Sequence, residues 1–156
     1  MSQVKTDRYG AMFSALNEKK QGAFVPFVTI GDPGKEQSIA IIKSLIDGGA
    51  DGLELGIPFS DPIADGPVIQ AANIRALDVN INTQDCFDII KEIREYNADI
   101  PIGLLLYSNL VFKRGLEAFY KDAKAVGVDS ILVADVPLHE SKMFRKAAMD
   151  NGVDPI

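Results

Sequence analysis

With 156 residues, 47% of them hydrophobic, the chain can bury the core of one domain and is too short for two. Its formal net charge of -6 is scattered without a Lys/Arg stripe, which excludes a nucleic-acid track; no apolar run approaches the roughly 20 residues of a membrane-spanning helix. A single cysteine, Cys86, and a single histidine, His139, exclude an internal disulfide and a His/Cys metal cluster and fit a reducing cytoplasm, and MSQVKTDRYG at the start lacks the apolar stretch of a secretory signal.

In chain order, a helix is expected over 6–19, then a buried strand over 23–30 (AFVPFVTI) and a turn, Gly31-Asp32-Pro33-Gly34. A helix over 36–48 follows, with Ile39, Ile42, Leu45 and Ile46 three to four apart and Gly48-Gly49 as its stop. A strand over 52–57 leads into a proline-rich loop. The next helix, 83–96, takes Thr83 as N-cap and buries Cys86, Phe87, Ile90 and Ile93. A strand over 102–107, a helix over 116–126, a strand over 130–133 and a helix over 140–151 complete the series, and Pro155-Ile156 opens a fifth strand. The strands are short, rich in Val, Ile, Leu and Phe and bounded by Gly, Pro or Asp, as strands buried on both faces are.

GGADG, VGVDS and NGVDP repeat one device, in which glycine closes a helix and an aspartate leads into the next strand. That is the αβ loop of a βαβ series. A doubly wound sheet and a (β/α)8 TIM barrel both fit such a series, but the doubly wound form predicts a GxGxxG turn after the first strand, where Gly31-Asp32-Pro33-Gly34 stands instead. The reading is a single domain, 1–156, made of an N-terminal helix, βα units 1–4 and the start of strand 5. A complete barrel takes ~250 residues; four units leave two open sheet edges, which invite self-association.

Functional groups of a barrel lie at the C-terminal strand ends. Glu54 sits inside an apolar strand, and alternation sets Glu54 and Gly56 on one face with Leu53 and Leu55 on the other. With the leucines against the helices, Glu54 points into the barrel, partly desolvated, where general acid–base chemistry can use it. Asp65, in the loop stiffened by Pro58, Pro62 and Pro67, reads either as a helix start or as a second carboxylate across the pocket from Glu54. Asp61 reads as a turn former or surface contact. Tyr107 and Asn109 follow the third strand and read either as lining the same mouth or as an interfacial tyrosine and a loop asparagine; Asp135 reads as fixing its loop by hydrogen bonds ahead of a catalytic role, Cys86 is expected to pack and His139 to lie on the surface. No strand carries a lysine, so a Schiff-base aldolase has no nucleophile here. Carbon–carbon chemistry then needs a substrate that is its own electron sink.

Four segments carry a family resemblance: GAFVPFVTIGDPG at 22–34, GADGLELGIPFSDPIADGPVIQ at 49–70, PIGLLLYSNLVFKRG at 101–115 and VGVDSILVADVP at 126–137. The chain resembles the α subunit of tryptophan synthase along essentially its whole length. The resemblance implies a cytoplasmic lyase of tryptophan biosynthesis that splits indole-3-glycerol phosphate into indole and glyceraldehyde 3-phosphate without a metal or cofactor. It implies that Glu54 is the general acid–base, that Asp65 binds the indole N–H, and that Phe27, Leu105, Tyr107 and Ala134 line the indole pocket. It implies that Pro58 and Asp61 meet a β subunit in an α2β2 assembly, pyridoxal phosphate belonging to that partner. The phosphate site of a barrel lies after strands seven and eight, so residues 1–156 alone are expected to be inactive and the natural chain to continue. A non-catalytic half-barrel that binds or modulates a partner is the alternative; another phosphate-handling barrel of amino-acid biosynthesis fits the fold but not the 49–70 loop.

Overall fold

The computed structural model describes residues 7–156; residue 6, where the first helix was expected to begin, lies outside them. The chain opens with α1 (Arg8–Lys19), capped by Asp7, whose carboxylate accepts the Gly10 N–H at 2.8 Å. It then alternates strand and helix: β1 (Phe27–Thr29), α2 (Lys35–Asp47), β2 (Leu53–Gly56), α3 (Pro67–Asp78), α4 (Thr83–Tyr96), β3 (Ile102–Leu106), α5 (Ser108–Arg114), α6 (Leu116–Ala125), β4 (Ser130–Val133), a 3-10 turn (Leu138–Glu140), α7 (Lys142–Asp150) and β5 (Asp154–Pro155). All five strands are parallel and lie in the order β1-β2-β3-β4-β5. Every crossover steps to the next strand in the same direction, without the reversal that defines a doubly wound sheet. The sheet is part of a (β/α)8 barrel.

One face carries the helices. Leu55, Leu104 and Ile131 align across β2, β3 and β4 and are at most 2% exposed, packed among Ile42, Ile90, Ile93, Phe119, Phe144 and Ala148 of the surrounding helices. Cys86 belongs to this core. Its burial, with Asp85 adding to it, pushes the thiol well above its ordinary range. A disulfide reagent is therefore expected to leave Cys86 unmodified in the folded protein and to react with it only on unfolding; rapid labelling of the native state would contradict this packing. No helix among the described residues is long and apolar enough to cross a membrane.

The differences from the expected elements have local causes. The strand read over 23–30 shortens to Phe27–Thr29 because Pro26 has no N–H for the ladder. The N-cap of α4 is Asn82 rather than Thr83: Asn82 Oδ1 accepts from Gln84 N at 2.8 Å and Asp85 N at 3.2 Å, and Asp85 Oδ2 accepts the Asn82 N–H at 3.1 Å. Of α3 only the start at Gly66-Pro67 was foreseen, and α5 was not foreseen. α3 buries small or polar residues, Ala72, Asn73 and Ala76, and exposes Val68 and Ile74, so it lacks an apolar stripe. α5 is a short helix started from outside its own sequence, by Asp135, whose carboxylate accepts from Ser108 N and Ser108 Oγ, both at 2.8 Å.

The repeated Gly-x-Asp device has a visible purpose. Asp51 Oδ2 accepts the Phe24 N–H at 2.8 Å and Asp129 Oδ2 accepts the Ile102 N–H at 2.9 Å. At each site the aspartate entering a strand satisfies a backbone N–H just ahead of, or at the first residue of, the strand before it, at the N-terminal edge of the sheet where the ladder runs out.

Candidate active site

Strand register sets the concave face. Phe27, Glu54, Gly103, Ser130 and Asp154 form one row across β1 to β5; Thr29, Gly56, Leu105 and Leu132 form the next row toward the C-terminal ends. Glu54 thus stands on the face opposite the helices, half-buried. Glu54, Gly103, Ser130 and Asp154 of this row line a cavity of about 470 Å³ shared with Tyr9 and Phe13 of α1.

Two glycines make this face possible. A Cβ on Gly103 would lie 2.9 Å from both the Tyr9 hydroxyl and Ser130 Oγ, so Gly103 gives room for the Tyr9–Ser130 hydrogen bond of 2.9 Å beside Glu54. Burial raises the Tyr9 hydroxyl above its ordinary value; the Ser130 contact opposes this, and the charges of Asp129, Glu54 and Asp154 add to it. A Cβ on Gly56 would lie 2.7 Å from Phe27 Cζ, so the Phe27 ring rests on Gly56, whose other neighbour in the row is Leu105. Phe27 and Leu105 thus flank the same glycine just above Glu54. Ala134, half-buried, follows the end of β4 with its N–H on Leu106 O at 2.9 Å.

Asp65 lies in the loop between β2 and α3, half-buried, immediately before the Gly66 cap and Pro67 of α3. The helix-start reading is corrected: Gly66 is the N-cap of α3 and no side chain caps that helix, so Asp65 sits one residue ahead of the cap, in the loop that follows the C-terminal end of β2. Tyr107 joins it to β3. The Tyr107 ring is 3% exposed and stacks on Phe59 with centroids 5.1 Å apart, and its hydroxyl accepts the Ala64 N–H at 3.0 Å. Burial raises the Tyr107 hydroxyl; the Ala64 contact opposes this, and Asp65 raises it further by charge and by a hydrogen bond. Tyr107 thus grips the loop. Pro58 is buried at one edge of a groove of about 280 Å³ whose other walls include Asn82, Asn109 and Lys113, while Asp61 is exposed and accepts from Ser60 Oγ. Asp135 fixes its loop, as expected, and His139 is exposed.

Sequence reasoning passed over Tyr9, Ser130, Asn73 and Gln70. Ser130 opens β4, where a serine is unremarkable in sequence. Tyr9 reaches the site only through tertiary packing of α1. No group of three or more His, Cys, Asp or Glu among the described residues is placed to hold a metal ion.

A parallel βα sheet with carboxylates on its concave face and rim defines a barrel enzyme scaffold. Residues 13–156 match the family model for the tryptophan synthase alpha chain. The tryptophan synthase alpha chain of Salmonella typhimurium is 57% identical over 150 residues, covering 96% of this chain and 56% of that relative. Among solved structures, tryptophan synthase subunit alpha from Legionella pneumophila superposes with a TM-score of 0.91 at 32% identity, covering 95% of this chain and 56% of that one. A tryptophan synthase complex from Pyrococcus furiosus superposes with a TM-score of 0.82 at 41% identity, covering 86% and 55%. The chain belongs to the tryptophan synthase alpha chain family, and it spans about half the length of these relatives.

Proposed function

We propose that the protein containing this chain is a carbon–carbon lyase that cleaves indole-3-glycerol phosphate to indole and glyceraldehyde 3-phosphate. The observation that carries the reading is Glu54 on the concave face, beneath the hydrophobic pair Phe27 and Leu105 and below the rim loop that bears Asp65. In the first step Glu54 delivers a proton to the ring carbon that bears the glycerol chain, and the indole becomes a cationic indolenine. Asp65 accepts a hydrogen bond from the indole N–H and stabilises that charge. In the second step the carboxylate takes the proton of the adjacent side-chain hydroxyl. The carbon–oxygen double bond of the aldehyde forms, the carbon–carbon bond breaks, and its electron pair returns to the ring to neutralise the nitrogen. The substrate's ring is its own electron sink, so the step needs no cofactor from this chain.

Phe27, Leu105, Tyr107 and Ala134 would enclose the indole. The partner is a tryptophan synthase β subunit in an α2β2 complex, meeting the rim around Pro58 and Asp61 and supplying its own pyridoxal phosphate; a relative from Pyrococcus furiosus is described as part of an a2b2 complex. A cytoplasmic location fits a biosynthetic enzyme with one buried thiol. The test is indole release by the full-length protein from indole-3-glycerol phosphate, alone and with the β subunit. Indole formed without added metal or cofactor is the expected result; no indole under either condition would refute the assignment.

A further inference from the structure

We propose that Asn73 and Gln70, on neighbouring turns of α3, are positioning residues that fix the Asp65 carboxylate over the concave face. The inference rests on the reading of Asp65 as the group that binds the indole N–H. The loop from β2 to α3 is long and irregular, and its prolines stiffen the backbone without tying the loop to the sheet; a misplacement of about 1 Å at a reacting centre costs up to 10²-fold in rate. Three contacts remove that freedom. Asn73 is 4% exposed on a helix face otherwise buried through Ala72 and Ala76, where packing alone asks for an apolar residue. Its amide is used at both ends: Nδ2 donates to Ile69 O at 2.9 Å, which orients the group, and Oδ1 accepts the Phe59 N–H at 2.9 Å, which holds the start of the loop. Gln70, three residues earlier, holds the far end, with Nε2 donating to Asp65 O at 2.8 Å. Tyr107 stacks on the Phe59 that Asn73 holds and accepts the Ala64 N–H. Since the Asp65 N–H also bonds Pro62 O at 3.0 Å, the peptide groups on both sides of Asp65 are bonded, which leaves the carboxylate to be aimed through its side-chain torsions and its hydrogen bond with the Tyr107 hydroxyl. The helix that follows the loop is therefore its anchor.

The test is a set of double-mutant cycles in the full-length enzyme. Asn73→Ala and Gln70→Ala are each made alone and in an Asp65→Ala background, and kcat and KM for indole release are measured. Acting through Asp65, Asn73→Ala is expected to lower kcat about tenfold or more and Gln70→Ala by less, while KM moves little. In the Asp65→Ala background neither is expected to cost more than about twofold. Gln70 is exposed, so Gln70→Ala folds and carries the test if Asn73→Ala does not. Wild-type kcat in the folded variants, or the same fold-loss with and without the Asp65 carboxylate, would overturn the proposal. Normal turnover in Asp65→Ala alone would instead sink the underlying reading of Asp65, and this inference with it.

Discussion

Replacing Glu54 by glutamine is expected to reduce indole release by the full-length enzyme by roughly 10²–10⁴-fold, the range a positioned general acid–base contributes. Glutamine keeps the shape of the side chain, so the rows on the concave face stay packed, with Phe27 still resting on Gly56 and the Tyr9–Ser130 pair still in its space against Gly103. What disappears is the ability to give a proton to the ring carbon and take one from the hydroxyl. Both steps need the same atom pair to change protonation state, so an amide fails in both. KM is expected to change far less than kcat, because in the proposed mechanism other residues enclose the indole and the lost interaction belongs to the transition state. Near-normal turnover in Glu54→Gln, with native secondary structure by circular dichroism, would remove Glu54 from the mechanism and leave the Tyr9–Ser130 pair as the next polar groups on that face.

The sequence carried the sheet better than the loops that close over it. Each buried strand announced itself because a strand covered on both faces must be apolar, and Glu54 stood out against that background for the same reason. Gly103 and Ser130 occupy the same row, yet a glycine or serine in a strand is ordinary, and their role emerges only when the register sets them beside Glu54. The loop bearing Asp65 was legible as rigid from its prolines. The side chains that orient it were not, because Asn73 and Gln70 sit on a helix without an apolar stripe and Tyr107 comes from another strand. Pattern reports local periodicity, and these contacts join segments far apart in the chain. The VGVDS motif shows the boundary. Its glycine reads from sequence as a helix stop, and Gly127 does have φ +89. The structure adds that a Cβ there would lie 2.8 Å from Arg94 Nε, so the same glycine admits the guanidinium that binds the motif's aspartate.

That aspartate is where the largest loss of stability is expected. Asp129 is 5% exposed and holds Arg8 Nη1 at 2.7 Å, Arg94 Nη2 at 3.1 Å and the Ile102 N–H at 2.9 Å. It therefore joins α1, the end of α4 and the first residue of β3 at one carboxylate. Arg94 also donates to Ile100 O at 2.7 Å and Gly127 O at 2.9 Å, so it cannot swing out to water without abandoning the loop before β3. Burial lowers the Arg94 guanidinium from its ordinary value and the positive charge of Arg8 lowers it further, while Asp129 acts in the opposite direction. Asp129→Ala leaves two guanidinium groups facing each other with no anion and strands a buried backbone N–H. Removing one partner of a buried ion pair costs about 3–5 kcal/mol, a large share of the roughly 5–15 kcal/mol that holds a domain folded. The urea midpoint of the full-length protein is expected to fall accordingly with its m-value unchanged. Asp129→Asn keeps an acceptor for the Ile102 N–H and Arg94 but loses the charge and the acceptor that holds Arg8, so its midpoint is expected between those of Asp129→Ala and the wild type. A loss below about 1 kcal/mol for Asp129→Ala, the scale of an exposed ion pair, would mean that the arginines reach solvent and that the carboxylate does not organise this edge of the sheet.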